Sequence, residues 1–468
     1  DGSSNFSEGN RWGTFPSAAI AWRVKEESFL KDVKAISNAK VRIGWGQTGN
    51  AGGIAGRSTY ALSSADTKYN FYAPGLGGGT TGSFDRVVGF YAPLVDTNLK
   101  WETNEQTNFG LDLGFLNNDL TVTMDFFTRK TKDLLLERQI RPSAGNTSIY
   151  TNYGQIDNTG FEFSVNYNKK LNKDWAINVA FNGSTLKNKI KKMGADYTAT
   201  CTGGNSTYSA DDIDGSNLGA ISGTGFNWNN HSICREGEAV GSYYGYKVAG
   251  IIKTQEQLDK AKAQGQDAQI GDFLFVDTDK NGTLDDNDRV ILGNGLPKFN
   301  FGLNLSATYK DWDFSLYTYG VLGMDILSYS KMRLSIMNPS DDSWTPALLK
   351  DSYNNMYNAE TNPNGTLPRL TRLDNNKNSR ISDAWVENGN FLKISNIQVG
   401  YNVPKKFLSS FGLTAVRAYV AVQNLCTISP YSKYGDPEVG QGSVIYSGLD
   451  TGRYATPRTY MCGLNITF

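Results

Sequence analysis

Asn108-Phe109-Gly110-Leu111-Asp112-Leu113-Gly114-Phe115 leads through Asn117-Asn118 into Leu120-Thr121-Val122-Thr123-Met124-Asp125-Phe126, and this stretch decides the fold. Apolar side chains fall at odd positions before the asparagines and at even positions after them. Successive residues of a strand point to opposite faces, so each run carries one apolar and one polar face. A short polar connection between two alternating runs predicts a β-hairpin.

The same unit recurs outward in both directions. Phe161, Phe163, Val165 and Tyr167 lead across Lys170–Lys173 into Trp175, Ile177, Val179 and Phe181. Phe299, Phe301, Leu303, Leu305 and Tyr309 lead across Lys310-Asp311 into Trp312, Phe314 and Leu316, where the pattern blurs because Tyr317 and Tyr319 flank Thr318. Shorter units are Ile20-Trp22 with Val41-Ile43-Trp45, and Ile397-Val399-Tyr401 with Val416–Val422; Tyr460, Cys462, Leu464, Ile466 and Phe468 close the chain. Compact connections near 31–38, 117–118, 171–173, 310–311 and 403–413 alternate with long ones spanning roughly 50–97, 136–154, 191–296, 324–390 and 428–454. Short turns at one end and long loops at the other is the arrangement of an outer-membrane barrel. A soluble β-sandwich also alternates, but has no reason to sort its loops by length. Phe115, Phe161, Tyr167, Trp175, Tyr309 and Trp312 lie near strand ends, mostly beside short turns, where an interfacial aromatic girdle belongs. The reading is all-β: a transmembrane antiparallel β-barrel segment of about eleven strands.

Composition agrees. The 468 residues carry 46 basic and 46 acidic side chains, a balance that argues against nucleic acid as a main partner. No apolar run reaches the ~18–20 residues of a spanning helix, and a mean hydropathy of −0.43 does not weigh against barrel strands, whose signal is weak. Asp1-Gly2-Ser3-Ser4 is not a signal peptide. Cys201 and Cys234 share a polar, glycine-rich stretch and are either a loop disulfide or two thiols; Cys426 and Cys462 fall in strands.

Strand direction adds a constraint. With the short turns periplasmic, the first strand (about 14–24) and the last (about 455–468) both run inward, an odd count. Single-chain bacterial barrels have even counts, so an upstream portion ending in an extracellular loop is expected, with residues 1–13 as the tail of that loop.

Several ordered motifs sharpen the reading. They are Asn10-Arg11-Trp12-Gly13-Thr14-Phe15-Pro16-Ser17-Ala18, Arg42-Ile43-Gly44-Trp45-Gly46-Gln47-Thr48-Gly49-Asn50, Leu99-Lys100-Trp101-Glu102 with Gln106-Thr107-Asn108, and Gly160-Phe161-Glu162. Val422-Gln423-Asn424-Leu425, Tyr434-Gly435-Asp436-Pro437-Glu438 and Pro457-Arg458-Thr459-Tyr460 follow, before the terminal Gly463–Phe468. In this order, over almost the whole length, the chain resembles the SusC/RagA-like TonB-dependent transporters of Bacteroidota. The resemblance implies a 22-stranded barrel, a multi-pass outer-membrane protein, of which residues 1–468 are the carboxy-terminal part; the plug domain and first strands lie outside the chain. It implies import of an oligomeric nutrient, a glycan first and a peptide second. It also implies a SusD-like surface lipoprotein as partner, coupling to TonB-ExbB-ExbD through the plug, and contact with outer-membrane lipid and the upstream half of the barrel. The competing class is a soluble or surface-anchored all-β glycan-binding protein.

One motif carries sharp chemistry of its own. Asp277-Thr278-Asp279-Lys280-Asn281-Gly282-Thr283-Leu284-Asp285-Asp286-Asn287-Asp288, inside the 191–296 loop, has the D-x-D-x-N-G spacing of a calcium loop with an acidic twelfth residue. Asp277, Asp279 and Asn281 would offer side-chain oxygens, Thr283 its carbonyl, Asp285 a water-bridged contact, and Asp288 closure. The ligands are all oxygen, so Ca²⁺ is favoured over Mg²⁺. No EF-hand helices flank it, although Gln255–Gln264 reads as a short helix, so a structural pin is expected rather than a switch.

The alternating terminus resembles a barrel-insertion signal, fitted by Gly463, Ile466 and Phe468. Catalysis is not expected: His231 is the only histidine, and Asp211-Asp212 and Asp341-Asp342 read as solvated loop charges. Trp228, Tyr243, Tyr244, Trp344 and Tyr431 fall in long loops, and packing between loops is the first expectation for each.

Overall fold

The computed structural model describes residues 1–52, 64–71, 85–91, 96–139, 148–193, 216–218, 231–336, 348–408, 412–440 and 444–468. Its frame is one eleven-stranded sheet. The strands are β1 (Ser17–Trp22), β2 (Ile36–Asn50), β3 (Glu102–Phe115), β4 (Leu120–Lys132), β5 (Gln155–Lys170) and β6 (Trp175–Lys192). Then come β7 (Phe299–Tyr309), β8 (Trp312–Leu322), β9 (Phe391–Asn402), β10 (Ala415–Ile428) and β11 (Thr459–Thr467). Each pairs antiparallel with the next, in chain order, as hairpin connections require.

Register fixes the two faces. Ile20 lies opposite Ile43, Ile43 opposite Phe109, Phe109 opposite Phe126, and Phe126 opposite Phe161. One apolar row therefore crosses five strands, and its members are 37–75% exposed. Leu111, Met124 and Phe163 form the next row down. A slip by one residue would turn this whole set to the other face, so the pattern and the pairing specify each other. Phe161, expected near a strand end, lies well within its strand in this row.

The connections also follow the sequence. Tyr309 pairs directly with Trp312, which leaves Lys310-Asp311 as a two-residue turn. Between Phe115 and Leu120 the turn is one residue wider on each side than the two asparagines alone, and Leu116, Asn117 and Asn118 all take positive φ. β8 keeps strict alternation against β7, so Tyr317 and Tyr319 fall in the polar phase with Asp313 and Ser315. The register with β9 shifts between Tyr317 and Thr318, where the extra residue, Ser395, belongs to β9 and brings both Asn396 and Lys393 to the polar face.

The long connections do not stay loops. The described parts of segments 231–296, 323–390 and 429–458 pack together into a second layer with its own core. Ser232–Cys234, Ser242–Gly245 and Val290–Asn294 form one small sheet, and Val248–Ile251 pairs with Phe273–Phe275. Asp325–Ser328 sits between Val386–Asn388 and Leu449–Asp450. Tyr243, Phe273, Phe275, Leu327, Trp385 and Leu449, drawn from all three segments, bury one cluster. Tyr243 ties the segments directly, donating its hydroxyl to the carbonyls of Asp325 at 3.1 Å and Ser447 at 2.8 Å. The expected short helix is α1 (Gln255–Ala263), started by a capping box between Thr254 and Gln257. No described helix is long and apolar enough to cross a membrane.

Candidate metal loop and lumenal wall

Residues 277–288 follow the strand Phe273–Phe275 and close on a 3₁₀ turn, Asp286–Asp288. Gly282 has φ +91°, the left-handed backbone that the sixth position requires, and Lys280 also turns left-handed at φ +62°. Carboxylate oxygens of Asp277, Asp279 and Asp288 converge to within 4.8 Å of one another. Asp277 Oδ2 accepts the Gly282 N–H at 2.9 Å, whereas Asp277 Oδ1 is enclosed and takes no hydrogen bond from the described residues. Burial works against the Asp277 charge, but the amides of Gly282, Lys280 and Asn281 outweigh it and hold the carboxyl below its ordinary value. Three carboxylates, one of them with an orphaned oxygen, make a donor set that suits a hard cation.

The remaining predicted ligands are engaged otherwise. Asn281 accepts from Thr283 N–H at 2.7 Å and donates to Asp279 at 3.0 Å and Asp285 at 3.4 Å. Asp285 caps the 3₁₀ turn by accepting Asn287 N–H at 2.8 Å. Asp288 is fully buried; one oxygen accepts Thr278 N–H at 2.6 Å and the other Asp285 N–H at 2.9 Å. The twelfth residue thus knits the loop shut, a structural role that its spacing alone does not disclose. The loop is also tied to α1: Leu284 N–H donates to the Gln264 carbonyl at 2.8 Å, and Gln264 Nε2 reaches Asp277 at 3.4 Å.

The polar face of the sheet has a second logic, which strand periodicity missed. Arg42 on β2 makes a bidentate pair with Asp112 on β3, both bonds 2.9 Å, and reaches Asp125 on β4 at 3.0 Å. In register, Gly110 stands between Arg42 and Asp125. A Cβ there would lie 2.5 Å from the guanidinium carbon, so glycine is what lets the ion pair stride across a strand. The device repeats where Asp313 on β8 meets Arg417 on β10 at 2.9 Å over Gly400. Nearer the loop layer, Lys393 is almost wholly buried and pairs with Glu438, with Asp436 at 3.9 Å. Tyr319 donates to the same Glu438 at 2.5 Å. Asp436 and Glu438 belong to the Tyr434–Glu438 motif, so that motif clips the last long connection onto the wall. Tyr317, Tyr319, Glu162, Asn182, Asn300 and Glu438 help line a concavity of about 630 Å³ on this face.

An eleven-stranded meander with one apolar and one charged, glycine-spaced face, under a folded layer of long connections, sets the frame for comparison. The TonB dependent receptor-like β-barrel family matches residues 1–425. The chain belongs to that family. Its strands are part of an outer-membrane barrel, with the apolar rows toward lipid and the charged face toward the lumen. TonB-dependent receptor P3 of Formosa agariphila is 34% identical over the whole of this chain and 43% of its own length. TonB-dependent receptor SusC of Bacteroides thetaiotaomicron is 32% identical, again over the whole chain and 41% of its own length. This receptor chain therefore spans less than half the length of these curated relatives. In the RagAB peptide transporter structure, the same architecture aligns at a TM-score of 0.71 and 20% identity, over 100% of this chain and 44% of the other.

Within the receptor chain, the loop aromatics resolve as packing residues where they are described. Tyr243 and Tyr431 are fully buried, and Tyr431 bonds to Asp450 and to Ser328. Tyr244 is held beneath Arg289, whose guanidinium lies 4.5 Å from the ring centre. His231, the single histidine, is fully buried, with its ring stacked on Tyr446 at 5.7 Å. Trp228, Trp344, Cys201 and the Asp211 and Asp341 pairs lie outside the described residues, and with Cys201 the question of a Cys201–Cys234 bond. Gly463 faces Tyr419, whose ring would lie 2.4 Å from an added Cβ, while Ile466 and Phe468 are exposed on the apolar side.

Proposed function

We propose that this chain is the carboxy-terminal wall and part of the mouth of a TonB-dependent importer of oligomeric nutrients. Family membership over residues 1–425 carries the reading. The cargo is a glycan, with peptide as the second reading. Amide and hydroxyl groups from Asn182, Asn300, Tyr317 and Tyr319 on the lumenal concavity support hydrogen bonding to either class. A SusD-like lipoprotein caps the long-loop end, and TonB-ExbB-ExbD supplies energy through a plug formed by other parts of the full-length receptor. No catalytic role is assigned to the chain. Cells carrying the full-length receptor should accumulate a labelled oligosaccharide only when TonB and the proton-motive force are intact. Accumulation that persists under an uncoupler would overturn the import reading, and selective uptake of peptides would replace the glycan.

The 277–288 loop holds Ca²⁺ in this proposal. Asp277, Asp279 and Asp288 supply carboxylate oxygens and Thr283 its carbonyl, with Asn281 and Asp285 as outer partners. Mg²⁺ is second, because its near-ideal octahedron suits a loop of many oxygens less well. The ion's chemistry is charge neutralisation, pinning α1 and the strand Phe273–Phe275 to the loop layer. A chelator should speed proteolysis within 264–290 of the full-length receptor, and added Ca²⁺ should reverse it. Equal cleavage in both conditions would remove the site. The expected insertion signal at Gly463, Ile466 and Phe468 is tested by Phe468→Ser, which should slow membrane assembly without changing the folded receptor's mobility.

A further inference from the structure

The three short turns that follow β5, β7 and β9 lie side by side on the rim, since β5 to β10 are consecutive in the sheet. They carry exposed Lys170 and Lys173, Lys310, and Lys405 and Lys406, against two aspartates, Asp174 and Asp311. None of these five lysines is in an ion pair with a described carboxylate; the Arg417–Asp313 pair in the same arc satisfies itself. The chain as a whole has zero net charge, so this excess is local.

Beneath the lysines runs one aromatic row. Trp175 pairs in register with Tyr309, Tyr309 with Trp312, and Trp312 with Tyr401. The ring centres are 4.5 Å apart for Trp175–Tyr309 and 4.8 Å for Trp312–Tyr401. Trp175, Tyr309 and Trp312 are 38–52% exposed on the lipid side. Phe407, 57% exposed, carries Lys406 at 4.9 Å, and Lys310 stands 5.3 Å from the Tyr309 ring. Amphipathic rings settle at the headgroup level, and lysines above them extend into the aqueous edge. The neighbouring turn between β3 and β4 lacks the device: Leu116 is exposed there, but Asp119 takes Lys169 in an ion pair at 2.9 Å.

We propose that this arc is a binding rail for anionic phospholipid headgroups of the periplasmic leaflet, with Lys170, Lys173, Lys310, Lys405 and Lys406 meeting the phosphates. The row Trp175–Tyr309–Trp312–Tyr401 sets the depth at which those phosphates sit. Charge complementarity selects the occupant: a zwitterionic headgroup offers its phosphate with a compensating cation, and an anionic one does not. Each lysine near an anionic surface contributes about a fivefold change in partitioning at low salt, so five together make a large preference.

The test is native mass spectrometry of the full-length receptor, exchanged into micelles doped with phosphatidylglycerol or with phosphatidylcholine of the same chains. The wild type should retain phosphatidylglycerol at least tenfold over phosphatidylcholine, and 0.5 M salt should erode the difference by screening. The variant with all five lysines changed to glutamine should fall to the phosphatidylcholine level while keeping its heat-modifiable mobility on gels. If that variant does not assemble, Lys310→Gln and Lys406→Gln singly should each lower retention about fivefold. Equal retention of the two lipids by the wild type, or undiminished phosphatidylglycerol on the lysine variants, overturns the proposal.

Discussion

The wall and the loop layer use the same residue types in opposite ways. On the wall, Ile20, Phe109 and Phe126 are at least half exposed; in the loop layer, Phe273, Leu327 and Trp385 are 2% exposed or less. Strand pairing satisfies the wall's backbone internally, so its apolar side chains are free to face lipid. The loop layer faces water and must bury its own core, which it does by joining three segments far apart in sequence. Apolar side chains therefore mark the solvent on one region and the interior on the other.

The largest way to break this contrast lies in the loop layer. Trp385 is fully buried, packs 5.8 Å from Phe273 ring to ring, and donates its indole N–H to the Arg380 carbonyl at 3.1 Å. Trp385→Ala should cost about 3–5 kcal/mol there. Proteolysis should then open segments 231–296 and 323–390, while the wall keeps its heat-modifiable migration. Simultaneous loss of both would show one cooperative unit instead of two.

On the wall, chemistry rather than volume should matter. Phe126→Arg places a charge in the lipid-facing row and should cost about 2–4 kcal/mol if the position lies near the bilayer midplane. Phe126→Leu should be nearly neutral. Denaturant titration in lipid vesicles checks both; equal effects would mean that the row is not in contact with lipid.

A smaller effect sharpens the lumenal side. Gly400→Leu intrudes between Asp313 and Arg417 and should cost about 1–3 kcal/mol through overpacking, whereas Gly44→Leu, where an added Cβ meets nothing within 4 Å, should cost less. The two glycines share the polar phase of their strands, so the same titration separates ion-pair spacing from strand propensity.

The gentlest perturbation is acid on the 277–288 loop. The Asp277 carboxyl is depressed from its ordinary 3.8. A depressed carboxylate contributes stability that is fully present above its unfolded value and lost as pH falls through the folded one. Cleavage of this loop should stay flat from neutral pH to about 5 and rise below about 4. A rise between pH 6 and 7 would point to another group.

Much of the loop's chemistry is legible in the sequence. Gly282's turn and the convergence of Asp277 and Asp279 follow from local spacing, because alternate residues of a tight loop point inward together. That Asp288 is buried as a knot for the amides of Thr278, Asp279 and Asp285 needed the fold, since its partners are set by how the 3₁₀ turn packs. The lumenal cluster of Lys393, Tyr319 and Glu438 joins residues from three distant segments. Its traces in the sequence were the tyrosines flanking Thr318 in β8 and the Tyr434–Glu438 motif, neither of which discloses the other as its partner.

The sequence by itself determined the strands, their faces, their order and the sorting of short and long connections. Side-chain alternation has period two and hairpins pair neighbours, so that information is local. Only the tertiary structure decided what the long connections become. Phe273, Trp385 and Leu449 meet across well over a hundred residues, and no local period encodes a core assembled from such distant pieces. The same reason separates the two glycine-spanned ion pairs from the motifs: each bridges strands that the chain visits at different times, and only the register brings them to one place.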